Sequence, residues 1–368
     1  MGRERVAVIG GGIVGCTAAA LLAEAGRSVT LFEATAIAAG ASGRNSGSIQ
    51  HPFDPVLLPL HLETLATYRH LAASDLDFAF PSQPAGILLL TDDQAAAGAR
   101  AAELRAAFPE LGAEALDPDA LHAAEPTVSD SWAAVRLETG YPATADGATR
   151  AQAARAVRAG VTLRIGRAAR PWIEDGTVRG VVLDDGENVS VDQVLLAGGP
   201  WTPEILGTEP PWPPITRTWG VTVQVELADP PHHVLEEGVV HTVNVPSGLA
   251  GSLFSLIAVG GLTTVGSTFL ADQPDEEAVA LALIQRGSEF VPALAEAPVI
   301  SIRICARPQS IDGRPFIGPV ANAEGLFVCA GHGPWGISTG PGSAALVVDL
   351  LLGLPDRVPR ELQSDRAV

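Results

Sequence analysis

A chain of 368 residues, 47% hydrophobic and 18% charged, is long enough to bury the cores of two domains without disulfides. Its formal net charge of −19 repels phosphate backbones and anionic lipid, which argues against nucleic acid or a membrane surface as partner. A few arginines can still draw an anion into a local site. Cys16, Cys305 and Cys329 stand far apart and fit no C-x-x-C spacing, so neither a disulfide framework nor a zinc site is expected, and a reducing cytoplasm is the simplest location.

Arg3 and Arg5 ahead of an apolar run mimic a secretion signal. The pattern continues, however, without a cleavage site. Val6 to Ile9 predict a buried strand, Gly10-Gly11-Gly12 a tight turn, Ile13 to Ala25 a helix stopped by Gly26, and "SVTLFEA" a second strand ending at Glu33. This β-α-β unit carries G-x-G-x-x-G at Gly10, Gly12 and Gly15, with an acid closing the second strand. Gly10 permits the turn, Gly12 lets backbone approach a pyrophosphate, and Gly15 lets helix pack on strand. The helix amides then face phosphate, and Glu33 can accept from both hydroxyls of a ribose. The unit therefore predicts a Rossmann-type dinucleotide site.

Further along, "AAGASGRNSGSIQHP" (38–52) has the small residues that let a chain wrap a ligand, and would otherwise be a plain surface loop. "TADGATRAQAARAVRAGVTLRIG" predicts a helix and then a strand. Hairpin turns follow at Asp175-Gly176 and Asp185-Gly186. "VLLAGGPWTPEIL" (194–206) is an apolar strand entering a Gly-Gly turn. Residues 215 to 307 are strand-rich, through "TWGVTVQVEL", "GVVHTVNV", "SLFSLIAV" and "LTTVGST", with one helix at "DEEAVALALIQRGSEFV". The terminal segment "GLFVCAGHGPWGISTGPGSAALVVDLLLG" predicts a strand, a glycine-rich loop and a helix of about a dozen residues beginning near Gly342.

Four stretches together, the N-terminal unit, "GASGRNSG", "AGGPW" and "DGRPFIGP…GHGPWGI", resemble over the whole chain the FAD-dependent oxidoreductases that include glycine oxidase, D-amino-acid oxidase and dehydrogenase, and monomeric sarcosine oxidase. The resemblance implies an α/β fold: a Rossmann-type FAD-binding domain interleaved with a smaller α+β substrate domain built on an antiparallel sheet. The expected division is 1–80, 141–214 and 308–368 for the first, 81–140 and 215–307 for the second. Expected FAD contacts are Gly10, Gly12, Ile13, Val14, Gly15, Glu33 and Ala34; Ser42, Gly43, Arg44, Asn45, Ser46 and Gly47; Ala197, Gly198, Gly199 and Trp201; and Gly331, His332, Gly333, Trp335, Gly336, Ile337 and Ser338. The last group leads into the terminal helix, whose amides would offset negative charge on a reduced flavin by about 0.3 to 1 kcal/mol, more when partly buried.

For the substrate, the resemblance implies Arg307 as the cation that holds a carboxylate through two parallel bonds and aims the α-C–H at flavin N5. Arg303 shares its strand and face and is the weaker candidate. The roof-sheet tyrosine usual in glycine and D-amino-acid oxidases is missing, because Tyr68 and Tyr141 both lie outside 215–307. His241 stands near the position expected for it, and His51 is a second candidate facing the flavin. The sarcosine-oxidase branch attaches its flavin through a cysteine seven residues before the aspartate matching Asp312, a spacing that Cys305 shares. Glycine-oxidase-like relatives have glycine there and bind FAD non-covalently, which is the expectation here.

The expected activity is oxidation of the C–N bond of an amino acid or related amine by hydride transfer, with oxygen, a quinone or a partner protein as electron acceptor. Two alternatives stay open. A 2-hydroxy acid would need a base for its hydroxyl proton, which His51 or His241 would supply. A flavin-binding subunit of a heteromeric dehydrogenase would turn over no substrate of its own. No metal and no membrane-spanning segment is expected.

Overall fold

The first β-α-β unit forms where the sequence predicts it: strand Arg5–Ile9, helix Ile13–Glu24 and strand Ser28–Glu33. The computed structural model describes residues 4–74, 76–208, 212–238 and 254–367. The helix is alanine-rich and buried on almost every side, which its lack of charge before Glu24 permits. The two strands pair in parallel and are joined in one sheet by Thr162–Ile165 on one side and by Gln193–Leu196 and Leu326–Ala330 on the other. A sixth strand, Phe316–Pro319, closes the sheet antiparallel. Near-continuous apolar runs such as Val6–Ile9 suit strands covered on both faces.

Helices Ile13–Glu24, Gly147–Arg158, Leu58–Ala72 and Gly336–Leu351 pack over one face of this sheet around Val6, Val8, Leu31 and Leu195. The other face, with Ala7, Ile9, Val194 and Leu196, packs on a three-stranded antiparallel sheet of Ala169–Glu174, Thr177–Leu183 and Asn188–Ser190. Each large apolar side chain buried there contributes roughly 1.5–3 kcal/mol.

A second sheet of eight strands draws on two separate stretches of chain, 215–310 and 87–137. Its order is Val299–Ser310, Ile215–Val225, Leu262–Gly266, Ser255–Val259, Val234–Glu237, Ile87–Thr91, Ala133–Leu137 and Glu114–Leu116. Helix Glu276–Phe290 covers one face, and helix Gln94–Ala107 covers part of the other. Its pairing is antiparallel except where Val234–Glu237 runs parallel to Ile87–Thr91. That strand was not expected. "HHVLEE" offers only two apolar residues, and its pairing partner lies far away in sequence. "GVVHTVNV", with His241, lies outside the described residues. Among the described residues no helix is long and apolar enough to cross a membrane.

Candidate active site

A cavity of about 910 Å³ opens where the six-stranded sheet's strand ends meet the eight-stranded sheet. Its floor begins at the turn Gly10-Gly11-Gly12. Gly10 has φ +119°, which disfavours any side chain, and a Cβ there would overlap the Ala197 carbonyl. Strand and turn are thereby in contact with the Ala197-Gly198-Gly199 turn across the cavity. Glu33 is fixed by three donors: Oε2 accepts from the Gly11 N–H at 2.8 Å, and Oε1 from the Thr35 N–H at 2.8 Å and hydroxyl at 3.0 Å. The Ile13 amide, in the first turn of the helix, donates to Ser42 Oγ at 3.0 Å, which ties the 38–47 segment to the turn.

Asn45 knots that same segment. Its Nδ2 donates to the Ala145 carbonyl at 2.9 Å and its Oδ1 accepts from the Gly47 N–H at 2.9 Å. Arg44 reaches the other way and donates to the Ile304 carbonyl at 2.9 Å on the edge strand of the roof.

The terminal helix starts at Gly336, not near Gly342, and runs to Leu351 with Pro341 inside it. Proline lacks the N–H that would pair with Ile337, and an interior proline costs a helix about 3 kcal/mol. Helix Leu58–Ala72 compensates with three side chains on one face. Tyr68 donates its hydroxyl to the Ile337 carbonyl at 2.7 Å, His61 Nδ1 lies 3.1 Å from the Ser338 carbonyl, and Thr64 Oγ1 accepts from the Gly342 N–H at 3.1 Å. The first turn of the helix is thus held open toward the cavity, which Gly336 and Ile337 line. Before it, His332 is 3% exposed and also lines the cavity, and its Nε2 has no hydrogen-bond partner among the described residues. Burial pushes this imidazole down to about 4, so it is neutral.

The roof contributes Cys305, Arg307 and Pro308 to the lining. The Arg307 guanidinium lies flat over Gly220, where a Cβ would strike it. It donates to the Thr268 carbonyl at 2.6 Å and to Ser267 Oγ at 2.9 Å, and stacks 4.5 Å from the Phe269 ring. No carboxylate stands within ion-pair distance of it among the described residues, whereas Arg286 on the opposite face of the sheet pairs with Glu237. Enclosure by protein lowers the Arg307 pKa from its ordinary value. Cys305 is buried beside it, and that burial raises the thiol despite the nearby Arg307, Arg44 and Arg303.

A model of the FAD-dependent oxidoreductases matches residues 5–350. The chain belongs to this family. Curated relatives include a glycine oxidase of Pseudomonas aeruginosa, 29% identical with 95% of each chain covered, and a D-amino acid dehydrogenase of Rhizobium rhizogenes, 25% identical over 95% of this chain and 96% of that one. Among solved structures, glycine oxidase from Bacillus cereus is 26% identical, covers both chains fully and superposes with a TM-score of 0.82. Glycine oxidase from Geobacillus kaustophilus, at 22% identity and a TM-score of 0.84 over 99% of this chain and 100% of that one, has the same fold.

The residues present suit the FAD of this family. Gly10 and Gly12 bring bare backbone to the lining, Glu33 is a held acceptor on it, and His332, whose buried Nε2 has no hydrogen-bond partner among the described residues, lines it too. Of the residues expected to touch FAD, the lining contains Gly10, Gly12, Ile13, Val14, Glu33, Ala34, Ser42, Arg44, Asn45, Ala197, Gly198, Gly199, Trp201, His332, Gly333, Gly336 and Ile337. Gly15, Gly43, Ser46, Gly47, Gly331, Trp335 and Ser338 lie off it. Gly15 packs against the Gly10 carbonyl, and Trp335 stands edge-on to Phe53 at 6.3 Å. Ser338 turns its hydroxyl to the Gln50 N–H at 3.0 Å.

His51 does not face the cavity. It is 3% exposed, with Nδ1 accepting from the Phe53 N–H at 3.0 Å and Nε2 directed at Glu110, 3.3 Å away. Burial lowers its pKa from the ordinary value. His61, Thr64 and Tyr68 were not anticipated. Their i, i+3, i+7 spacing in "HLETLATY" marks a polar stripe on a helix that is otherwise half apolar, and is the one local sign of them.

Proposed function

We propose that this FAD-dependent enzyme oxidises the C–N bond of an amino acid or related amine whose carboxylate is held by Arg307. The observation that carries the reading is a guanidinium enclosed in the cavity wall with no carboxylate partner among the described residues. A buried cation without an anion is costly unless a ligand supplies one. The names of the relatives, glycine oxidase and D-amino acid dehydrogenase, support the same substrate class.

FAD, when bound, accepts the hydride. The chain's own part is to bind and orient. Thr268, Ser267 and Phe269 fix the Arg307 plane, so a carboxylate docking on its free N–H groups arrives in one orientation. Glu33 would receive the ribose, and the Gly10–Gly12 turn with the start of the helix that follows it would receive the pyrophosphate. His332, neutral and on the cavity lining, would stand beside the flavin.

We read the flavin as non-covalently bound. Attachment through Cys305 needs a thiolate, which burial disfavours. Acid precipitation checks this: yellow colour released to the supernatant is the expected result, and a yellow pellet contradicts it. A cytoplasmic location is supported by three free, widely spaced cysteines. For the acceptor, oxygen, a quinone and a partner protein are separated by the rate at which each reoxidises the reduced enzyme.

The substrate assignment is tested at Arg307. Each charge-assisted bond lost costs about 1.5–3 kcal/mol, so Arg307→Leu is expected to lower kcat/KM for amino acids by about 100-fold or more while FAD stays bound. The same variant should oxidise an amine without a carboxylate no worse than the wild type. Equal activity of Arg307→Leu and wild type on amino acids would overturn the assignment.

A further inference from the structure

The register of the roof sheet places a second ionisable group on the face that carries Arg307. Arg303 lies opposite Thr222, a Cβ on Gly266 would meet Thr222 and Ser255, Ser255 pairs with Gly266, and Glu236 pairs with Ser255. Glu236, Ser255, Gly266, Thr222 and Arg303 therefore form one row on one face, because residues directly across a ladder point the same way. Glu237, next along, points to the other face and pairs with Arg286. The Arg307 guanidinium is anchored at Ser267 and Thr268, the residues just after Gly266 in that row. Two strand spacings, about 10 Å, separate Glu236 from this anchor, and the row between them is floored by Ser255 and Gly266. Arg307 lines the cavity, and Glu236 stands on the same face of the sheet, off that lining.

Glu236 is also linked to the cavity from below. Gln50 hydrogen-bonds the Glu236 side chain. Gln50 Oε1 accepts from Ser48 Oγ at 2.5 Å, which leaves its NH₂ to donate upward. Its own backbone N–H donates to Ser338 Oγ in the first turn of the terminal helix, beside the cavity-lining Ile337.

We propose, resting on the amine reading above, that Glu236 receives the substrate's ammonium group and takes its proton. The carboxylate of the substrate sits on Arg307 and the ammonium faces Glu236. The N–H bond breaks, the proton passes to the Glu236 carboxylate, and the neutral amine keeps the lone pair that assists departure of the α-hydride to FAD. The proton leaves the Glu236 carboxyl to solvent once product has gone. Enclosure by surrounding protein pushes this carboxyl up to about 7, with the Gln50 bond opposing the shift, although the side chain keeps some contact with solvent. A base near the working pH suits this transfer. Among the described residues, the other titratable groups around it are accounted for. Arg303 and Arg307 share its face, His51 points to Glu110, His61 to the Ser338 carbonyl, and Leu89 is its partner on the neighbouring strand.

The experiment compares FAD-loaded wild type, Glu236→Gln and Glu236→Asp, with FAD retention read from the visible spectrum. In wild type, kcat/KM should fall on the acid side with a limb near pH 7. In Glu236→Gln that limb should move to the substrate's own ammonium pKa, with kcat/KM at pH 7 lowered about 100-fold and recovering as pH rises. Binding of the matching carboxylate without an amine, read from the flavin absorbance, should be unchanged. A limb that stays near pH 7 in Glu236→Gln overturns the proposal. Should Glu236→Gln lose its flavin, Glu236→Asp decides: a displaced limb supports the proposal and an identical profile contradicts it. If no amine reduces the wild type at all, the function proposed above falls with it, whereas normal, pH-identical turnover by Glu236→Gln removes only the role of Glu236.

Discussion

Arg307 and Glu33 differ in how readable they were. Glu33 closes a local β-α-β pattern, and everything that gives it meaning lies within 30 residues of Gly10. The value of Arg307 is its isolation from carboxylates, and that depends on a strand register linking residues 215–225 to 299–310. Composition and spacing carry no trace of such a register. The same holds for Glu236, whose face is set by three ladders in succession. His51 is the opposite case: its place after a flavin-type segment suggested the cavity, but it lies off the lining, with Nδ1 accepting from the Phe53 N–H and Nε2 turned toward Glu110. His51→Gln is accordingly expected to leave kcat within about threefold of wild type and to lower the unfolding temperature, since a buried partner is lost. A hundredfold loss of kcat with stability intact would restore a catalytic role.

At the scale of the element, the terminal helix shows why a boundary can be missed. "GISTGPGS" holds three glycines and a proline, and local propensity predicts a loop until Gly342. The helix nevertheless begins at Gly336, because Tyr68, His61 and Thr64 satisfy the groups that Pro341 frees. Those partners come from about 270 positions away, as with Tyr68 and Ile337. Tyr68→Phe leaves the buried Ile337 carbonyl unpaired and should cost about 1–3 kcal/mol in urea unfolding, together with weaker FAD retention. Gly342→Ala should cost a similar amount or more, since its Cβ would overlap the Leu60 backbone where the two helices touch. Full stability in both variants would show that the junction is not held in this way.

Across the whole molecule, the buried histidines set a direction for pH. His61 and His332 are both pushed down to about 4 by burial, below the 6.5 they have when exposed. A depressed histidine stabilises the fold fully above pH 6.5, and that contribution is lost as pH falls toward 4, by up to ~3 kcal/mol for each. Glu236 acts in the opposite sense, because its raised pKa favours the fold below about 4.5 and that contribution is lost as pH rises to 7. Two histidines outweigh one carboxyl, so the urea midpoint should fall from pH 6.5 to 4, and His332→Gln should flatten the slope. A midpoint that rises on acidification would mean that these rings are charged in the fold.

At that same scale the central claim is that two sheets, built from interleaved stretches of chain, hold an amino acid between FAD and Arg307. Anaerobic mixing of the FAD-loaded protein with matched panels of amino acids, N-alkyl amino acids and 2-hydroxy acids reads this directly through the visible flavin band. Bleaching by members of the amine panels, and not by hydroxy acids on the same carbon skeletons, is the predicted result. Bleaching by hydroxy acids alone, or by nothing in any panel, would contradict it.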